Sequence, residues 1–203
     1  MSNIKKSHLN LVNASDWVVR FQHLVREGGK VLDLAAGSGR HSIYFLQRGY
    51  SVVAVDKNPG PLGFLLSCSK ARLIVADLED GSPWPLNGEL FDGILVSNYL
   101  YRPLYNSILD ALAPEGVLIY ETFAEGNEVF GSPKNKDYLL QAGELINLVQ
   151  NSLHIVAYEH GVISYPPDMK VKQRICAVKN AGTRSNQSTT QTPHHLFSVK
   201  NKS

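Results

Sequence analysis

The chain has 203 residues, 43% of them hydrophobic, with a formal net charge of +2 and two cysteines. That is enough apolar sequence for one sizeable core and one domain, and no stretch approaches the run of about 18 apolar residues that a membrane span needs. The positive sign comes from residues 180–203, which hold Arg184, Lys200 and Lys202 and no acids. The rest is close to neutral and shows no global bias towards nucleic acid.

Residues 1–13 read as a flexible arm, without the apolar region of a secretory signal. Cys68 and Cys176 lie far apart, each in an apolar stretch, and are expected as free thiols, which implies a cytoplasmic location. The histidines lack ligand spacing, so no metal is expected. From Ala14, Trp17, Val18, Phe21, Leu24 and Val25 recur at helical spacing, with Ser15 or Asn13 as cap and Gly28-Gly29 as the end.

Lys30 to Leu34 reads as a buried strand that breaks into a turn at Gly37 and Gly39, after which helical sequence resumes at Arg40. Glycine at those two positions lets the backbone turn tightly and approach a ligand. Ser51 to Val55 is a β-branched strand ending in Asp56, and Leu62 to Ser69 is a weaker helix after two prolines. Arg72 to Ala76 is a strand ending in Asp77. Phe91 to Val96 is a strand ending at Ser97-Asn98, and Pro103 to Leu112 a helix. Gly116 to Glu121 is a further strand. Strands alternating with helices imply βαβ units and a parallel sheet. Asp33, Asp56, Asp77, Asn98 and Glu121 then share the carboxyl edge of that sheet, where open α/β folds bind ligands.

Residues 124–141 form a loop long enough to be a lid or a surface excursion, and Gly143 to Asn151 is a helix. His154 to Val162 and Val171 to Lys179 alternate as an antiparallel hairpin at the sheet edge. From Asn180 the Ser-, Thr-, Gln- and Asn-rich sequence reads as a disordered tail. The domain is therefore expected over 14–179.

A dinucleotide fingerprint needs a third glycine, yet Ser42 stands there. A carboxylate at Asp33 suits an ammonium-bearing ligand better than a pyrophosphate, and it can equally hold the glycine loop through its amides. These features point to S-adenosylmethionine, and a nicotinamide dehydrogenase is disfavoured. Asp33-Leu-Ala-Ala-Gly37-Ser-Gly39 resembles the first motif of class I S-adenosylmethionine-dependent methyltransferases. Val52 to Asp56 resembles the second, Ala76-Asp77-Leu78 the third, and Phe91 to Asn98 the fourth. Within the class, Gly39 to Leu46 with Gly49 to Asp56 is most similar to the small bacterial methyltransferases grouped with tellurite-resistance proteins.

The resemblance implies a doubly wound, mostly parallel seven-stranded α/β sheet (Rossmann-like) with an antiparallel last strand. It implies S-adenosylmethionine held by the backbone at Ala35, Gly37 and Gly39, by Asp56 on the ribose with Lys57 beside it, by Asp77 and the Leu78 amide on the adenine, and by Asn98 below the methyl. Ala35 stands where many members have glycine, which is tolerable if its backbone is extended. Glu121, Tyr99, Tyr101 and His41 are the candidates for a base; Arg40 and His41 are otherwise solvated first-turn residues, and Glu121 otherwise a strand-end carboxylate. Asn98-Tyr-Leu-Tyr101 lacks the two prolines of enzymes that methylate exocyclic nitrogens, and no nucleophilic cysteine lies there. Tyr99, Tyr101, Arg102, Phe123 and Phe130 either form an acceptor pocket or pack as loop aromatics. A small-molecule acceptor is the first expectation. An RNA or protein methyltransferase recruiting through the basic tail, or a non-catalytic cofactor-binding regulator, is the alternative.

Overall fold

The computed structural model describes residues 13–165, 168–181, 194 and 196. The expected arm and nearly all of the expected tail lie outside the described residues. The strands are β1 (Lys30–Leu34), β2 (Ser51–Asp56), β3 (Ala71–Val75), β4 (Phe91–Ser97), β5 (Leu112–Phe123), β6 (Leu153–Tyr165) and β7 (Asp168–Lys179). They form one seven-stranded sheet in the order β3-β2-β1-β4-β5-β7-β6. The first five strands run parallel, and β7 is antiparallel to both β5 and β6. This is the expected doubly wound sheet with its antiparallel last strand.

Side-chain alternation sorts the sheet into two faces. Leu32, Leu34, Ile94, Val96, Leu118 and Tyr120 pack with Ile108 of α3 (Tyr105–Asp110) and with Leu145 and Val149 of α4 (Glu144–Val149). On the other face, Val31, Val52, Leu95, Val117, Ile119 and Cys176 pack with Trp17, Val18 and Phe21 of α1 (Asp16–Phe21) and Phe45 of α2 (Arg40–Leu46). The Trp17 indole donates to the Ile175 carbonyl at 3.2 Å, which fixes α1 across β7. Both cysteines are free.

Several helices are shorter than their periodicity predicts. Ser15 caps α1, but the helix gives way at Gln22 to a 3-10 turn. Val25 is extended and tucks beneath Gly93, where a Cβ would stand 3.0 Å from it. The segment after the two prolines forms a 3-10 run, Gly60–Ser67, not an α-helix. Leu112 leaves its expected helix and opens β5, pairing with Phe91 before a register shift around Glu115. Among the described residues no helix is long and apolar enough to cross a membrane.

Candidate active site

Beyond Leu34 the chain turns through Ala35 (φ 53°), Gly37 (φ 57°) and Gly39 (φ 73°). Ala35 is thus left-handed, not extended, a strain of about 1 kcal/mol for a residue with a Cβ. No atom lies within 4 Å of where a Cβ on Gly37 would stand, so this backbone faces open space. A Cβ on Gly39 would stand 2.7 Å from Leu62, so this glycine is required for close packing.

Asp33 is buried on the α2 face, and one of its oxygens accepts from the Ser42 amide (2.9 Å) and hydroxyl (2.6 Å). It therefore pins the first turn of α2 behind the glycine loop and does not line the crevice itself. Burial raises its pKa to about 7 despite those two donors. His41 is also buried, contrary to a solvated first-turn residue. Its Nε2 accepts from the Ser15 amide at 3.3 Å, which leaves the ring proton on Nδ1, 3.9 Å from Asp33. Burial first, then Arg40, lowers its pKa to about 4.

At the end of β2, Asp56 accepts from the amides of Gly37 (2.7 Å) and Asn58 (2.8 Å), linking the second motif to the glycine loop. Lys57 reaches across to Asp77 at 3.6 Å, and Asp77 accepts from the Glu79 amide.

Behind Asn98 lies a polar chain that the sequence did not reveal. Arg40 donates to the Ser97 hydroxyl (3.0 Å), which donates to Glu121 (3.0 Å). Lys172 and Arg174 flank that carboxylate at 3.7 and 3.6 Å, and Lys172 also donates to the Asn98 amide oxygen at 2.6 Å. Burial opposes ionisation of Glu121, but Lys172, Ser15, Arg174 and Ser97 together outweigh it and hold its pKa below the ordinary carboxylate value. Alternation along β5 and β7 puts these groups on one face, so a partner-by-partner reading of the hairpin register would have found them.

Three hollows adjoin along the strand ends. One of about 320 Å³ is lined by residues 35–38, Arg40, His41, Ser97 and Asn98. One of about 190 Å³ lies between Ala35, Asp56, Lys57 and residues 76–79, with Tyr99. The third, of about 460 Å³, is walled by Leu100, Thr122, Phe123, Pro133 and Tyr138, and by Asn98, Tyr99 and Glu79 where it meets the others. The Tyr99 hydroxyl is buried without a hydrogen-bond partner of good geometry; burial and then the nearby Glu79 carboxylate push its pKa upward. Asn98, at φ 56°, stands at the junction.

Tyr101, Arg102 and Phe130 do not line the third hollow. Arg102 is a strut, donating to Glu144 (2.7 and 2.9 Å) and to the carbonyls of Asp137 and Leu139. It holds the loop over 124–141 together with buried Asn127, whose oxygen accepts from the Val171 amide at 3.1 Å. Pro133 and Tyr138, missed in the sequence, are the part of that loop which reaches the site.

This strand order, with a glycine loop after β1 and acids after β2 and β3, defines the class I methyltransferase fold. Solved structures carry the same conclusion. TehB from Haemophilus influenzae aligns with a TM-score of 0.65 at 18% identity over 81% of this chain, which spans 62% of that protein's length. The 1,6-didemethyltoxoflavin-N1-methyltransferase of Burkholderia thailandensis, seen with its substrate and S-adenosylhomocysteine, aligns at 0.60 and 23% identity (81% of this chain, 76% of that one). The N-methyltransferase NodS from Bradyrhizobium japonicum aligns at 0.60 and 16% (80% and 93%). Within that class, residues 3–77 match the model of the tellurite resistance protein TehB family, so the likeness read from the Gly39–Asp56 segment is borne out. No curated protein sequence matches the chain.

Proposed function

We propose that this chain is an S-adenosylmethionine-dependent methyltransferase acting on a small-molecule acceptor. The observation that carries the reading is the meeting of three hollows at Asn98 and Tyr99: two sized and lined for the ends of the donor, one apolar and adjacent. The open space over Gly37 suits close approach of a ligand to the backbone. When bound, S-adenosylmethionine would supply a sulfonium methyl whose carbon the acceptor's lone pair attacks in line, the thioether leaving with the carbon–sulfur electron pair and the methylated acceptor losing to solvent any proton it still carries on that atom.

The residues divide that work. Asp56 accepts from the ribose hydroxyls in charge-assisted bonds. Asp77 and the Leu78 amide meet the adenine edge, with Lys57 screening Asp77. Ala35, Gly37 and Gly39 offer backbone to the methionine part, and Arg40, the cation lining that hollow, faces its carboxylate. Asp33 acts through Ser42 and is a positioning residue. Glu121 is ion-paired and buried, which makes it a weak base; it anchors Lys172 and, through it, Asn98. Positioning and exclusion of water then supply most of the rate.

Titrating S-adenosylhomocysteine into the full chain tests this, with micromolar binding expected by calorimetry. No heat and no thermal stabilisation with either donor or product overturns it.

A further inference from the structure

The third hollow says more about what enters it. Its volume of about 460 Å³ is roughly three times that of a cavity which accepts benzene, so it has room for a fused-ring or substituted-ring molecule. Phe123, Pro133 and Tyr138 give it flat apolar walls. Its exposed apolar components are ordered: Asn127 donates to the Pro133 carbonyl, and Tyr138 closes the 3-10 turn Lys136–Tyr138. The site is therefore preformed.

Its charge is one-sided. Glu79 is the charged residue on its wall and forms no ion pair among the described residues. The ammonium of Lys172 stands 5.3 Å from the Phe123 ring centroid, and that of Lys57 borders the adjoining hollow. Lys172 is turned to Glu121 and Asn98, and Lys57 to Asp77. Arg102 is held by Glu144. An anionic acceptor thus meets a carboxylate and no cation on the lining of this hollow, whereas a cationic nitrogen finds Glu79 together with aromatic faces, the combination that favours ammonium groups.

We propose that this hollow binds the methyl acceptor, and that the acceptor is a flat ring-bearing amine whose ammonium is anchored by the Glu79 carboxylate between the apolar walls, while the methyl goes to another of its atoms that holds a free lone pair. The inference rests on the methyl-transfer reading and adds the substrate class to it.

Three probes sharing one ring system separate the possibilities: tryptamine, indole and indole-3-acetate, each titrated by NMR or calorimetry into the full chain saturated with S-adenosylhomocysteine. Tryptamine is expected to bind about tenfold tighter than indole, and indole-3-acetate more weakly than either. Glu79→Gln is expected to erase the preference for tryptamine over indole, and Tyr138→Ala to weaken both about equally. Equal or tighter binding of indole-3-acetate, or a preference that survives Glu79→Gln, overturns the proposal. The saturating titration reads the donor site separately. If the wild type fails to bind S-adenosylhomocysteine, the methyl-transfer reading falls; if it binds normally while the probes show no preference, the acceptor class alone falls.

Discussion

From Lys30 to Leu78 the crevice is made of short turns that directly follow strand ends, and its working groups are mostly backbone amides and single carboxylates. From Asn98 to Arg174 it is made of residues from β4, β5, the loop over 124–141 and the hairpin strand β7, joined by buried side chains such as Asn127, Glu121 and Lys172. The first region needs little besides its own sequence to form; the second exists only once distant segments have met. On the proposed function, the donor is held by the first kind of construction and the acceptor by the second.

The sharpest way to break that comparison is Asp56→Ala. On the proposed donor geometry it removes the acceptor of two ribose hydroxyls, each charge-assisted bond worth about 1.5–3 kcal/mol, along with the acceptor of the Gly37 and Asn58 amides, so affinity for S-adenosylhomocysteine is expected to fall roughly 100-fold or more by calorimetry. Far-ultraviolet circular dichroism should stay unchanged. A loss below about fivefold would remove the ribose role from Asp56.

The converse change is Asn127→Ala in the second region. It leaves the buried Val171 amide without its acceptor, at about 2 kcal/mol, seen as a fall in Tm of roughly 4–8 °C. Cofactor affinity is expected to stay within about threefold. A parallel loss of that affinity would show that the two regions are not built independently.

These two positions also explain what could be read beforehand. The parallel strands, the glycine loop, Asp56 and Asp77 are legible because each is signalled within a few residues of a β-branched run. His41 was misread because its burial depends on Ser15, 26 residues earlier. Arg102 stays between two readings in the sequence because the carbonyls it holds lie 35 and 37 residues later. Pro133 and Tyr138 carry no periodic signal at all. Helix lengths were overestimated for the same reason: Leu112 and Val25 have helical spacing, but sheet partners claim them.

A finer test lies within the first region. The Asp33 pKa is raised to about 7 in the folded chain against an ordinary value near 4. The folded state therefore holds that proton more tightly, and this contribution to stability declines as pH rises from about 4 to 7. The His41 pKa is lowered to about 4. Here the unfolded state binds the proton more tightly below about 6.5, so this contribution grows as pH rises from about 4 to 6.5. The two slopes oppose each other in the wild type. Asp33→Asn is expected to leave stability rising over that window, and His41→Gln to leave it falling, in urea titrations at pH 4.5, 5.5 and 6.5. The same slope in both variants would mean that neither shift governs stability in this window.

The smallest effect concerns Ala35, where the first region departs from a glycine turn. Ala35→Gly relieves about 1 kcal/mol of left-handed strain but adds about 0.5–1 kcal/mol of backbone entropy to the unfolded chain. The net change in stability is expected to lie within about 0.5 kcal/mol. Ala35→Val keeps the entropy but places a β-branched side chain at φ 53°, and is expected to lose about 2 kcal/mol. Since Ala35 borders both hollows proposed for the donor, the valine should also weaken S-adenosylhomocysteine binding, while the glycine leaves it within about threefold. If valine is tolerated on both counts, the left-handed turn is not required for the donor site, and the first region is less rigidly specified than its short-range signals imply.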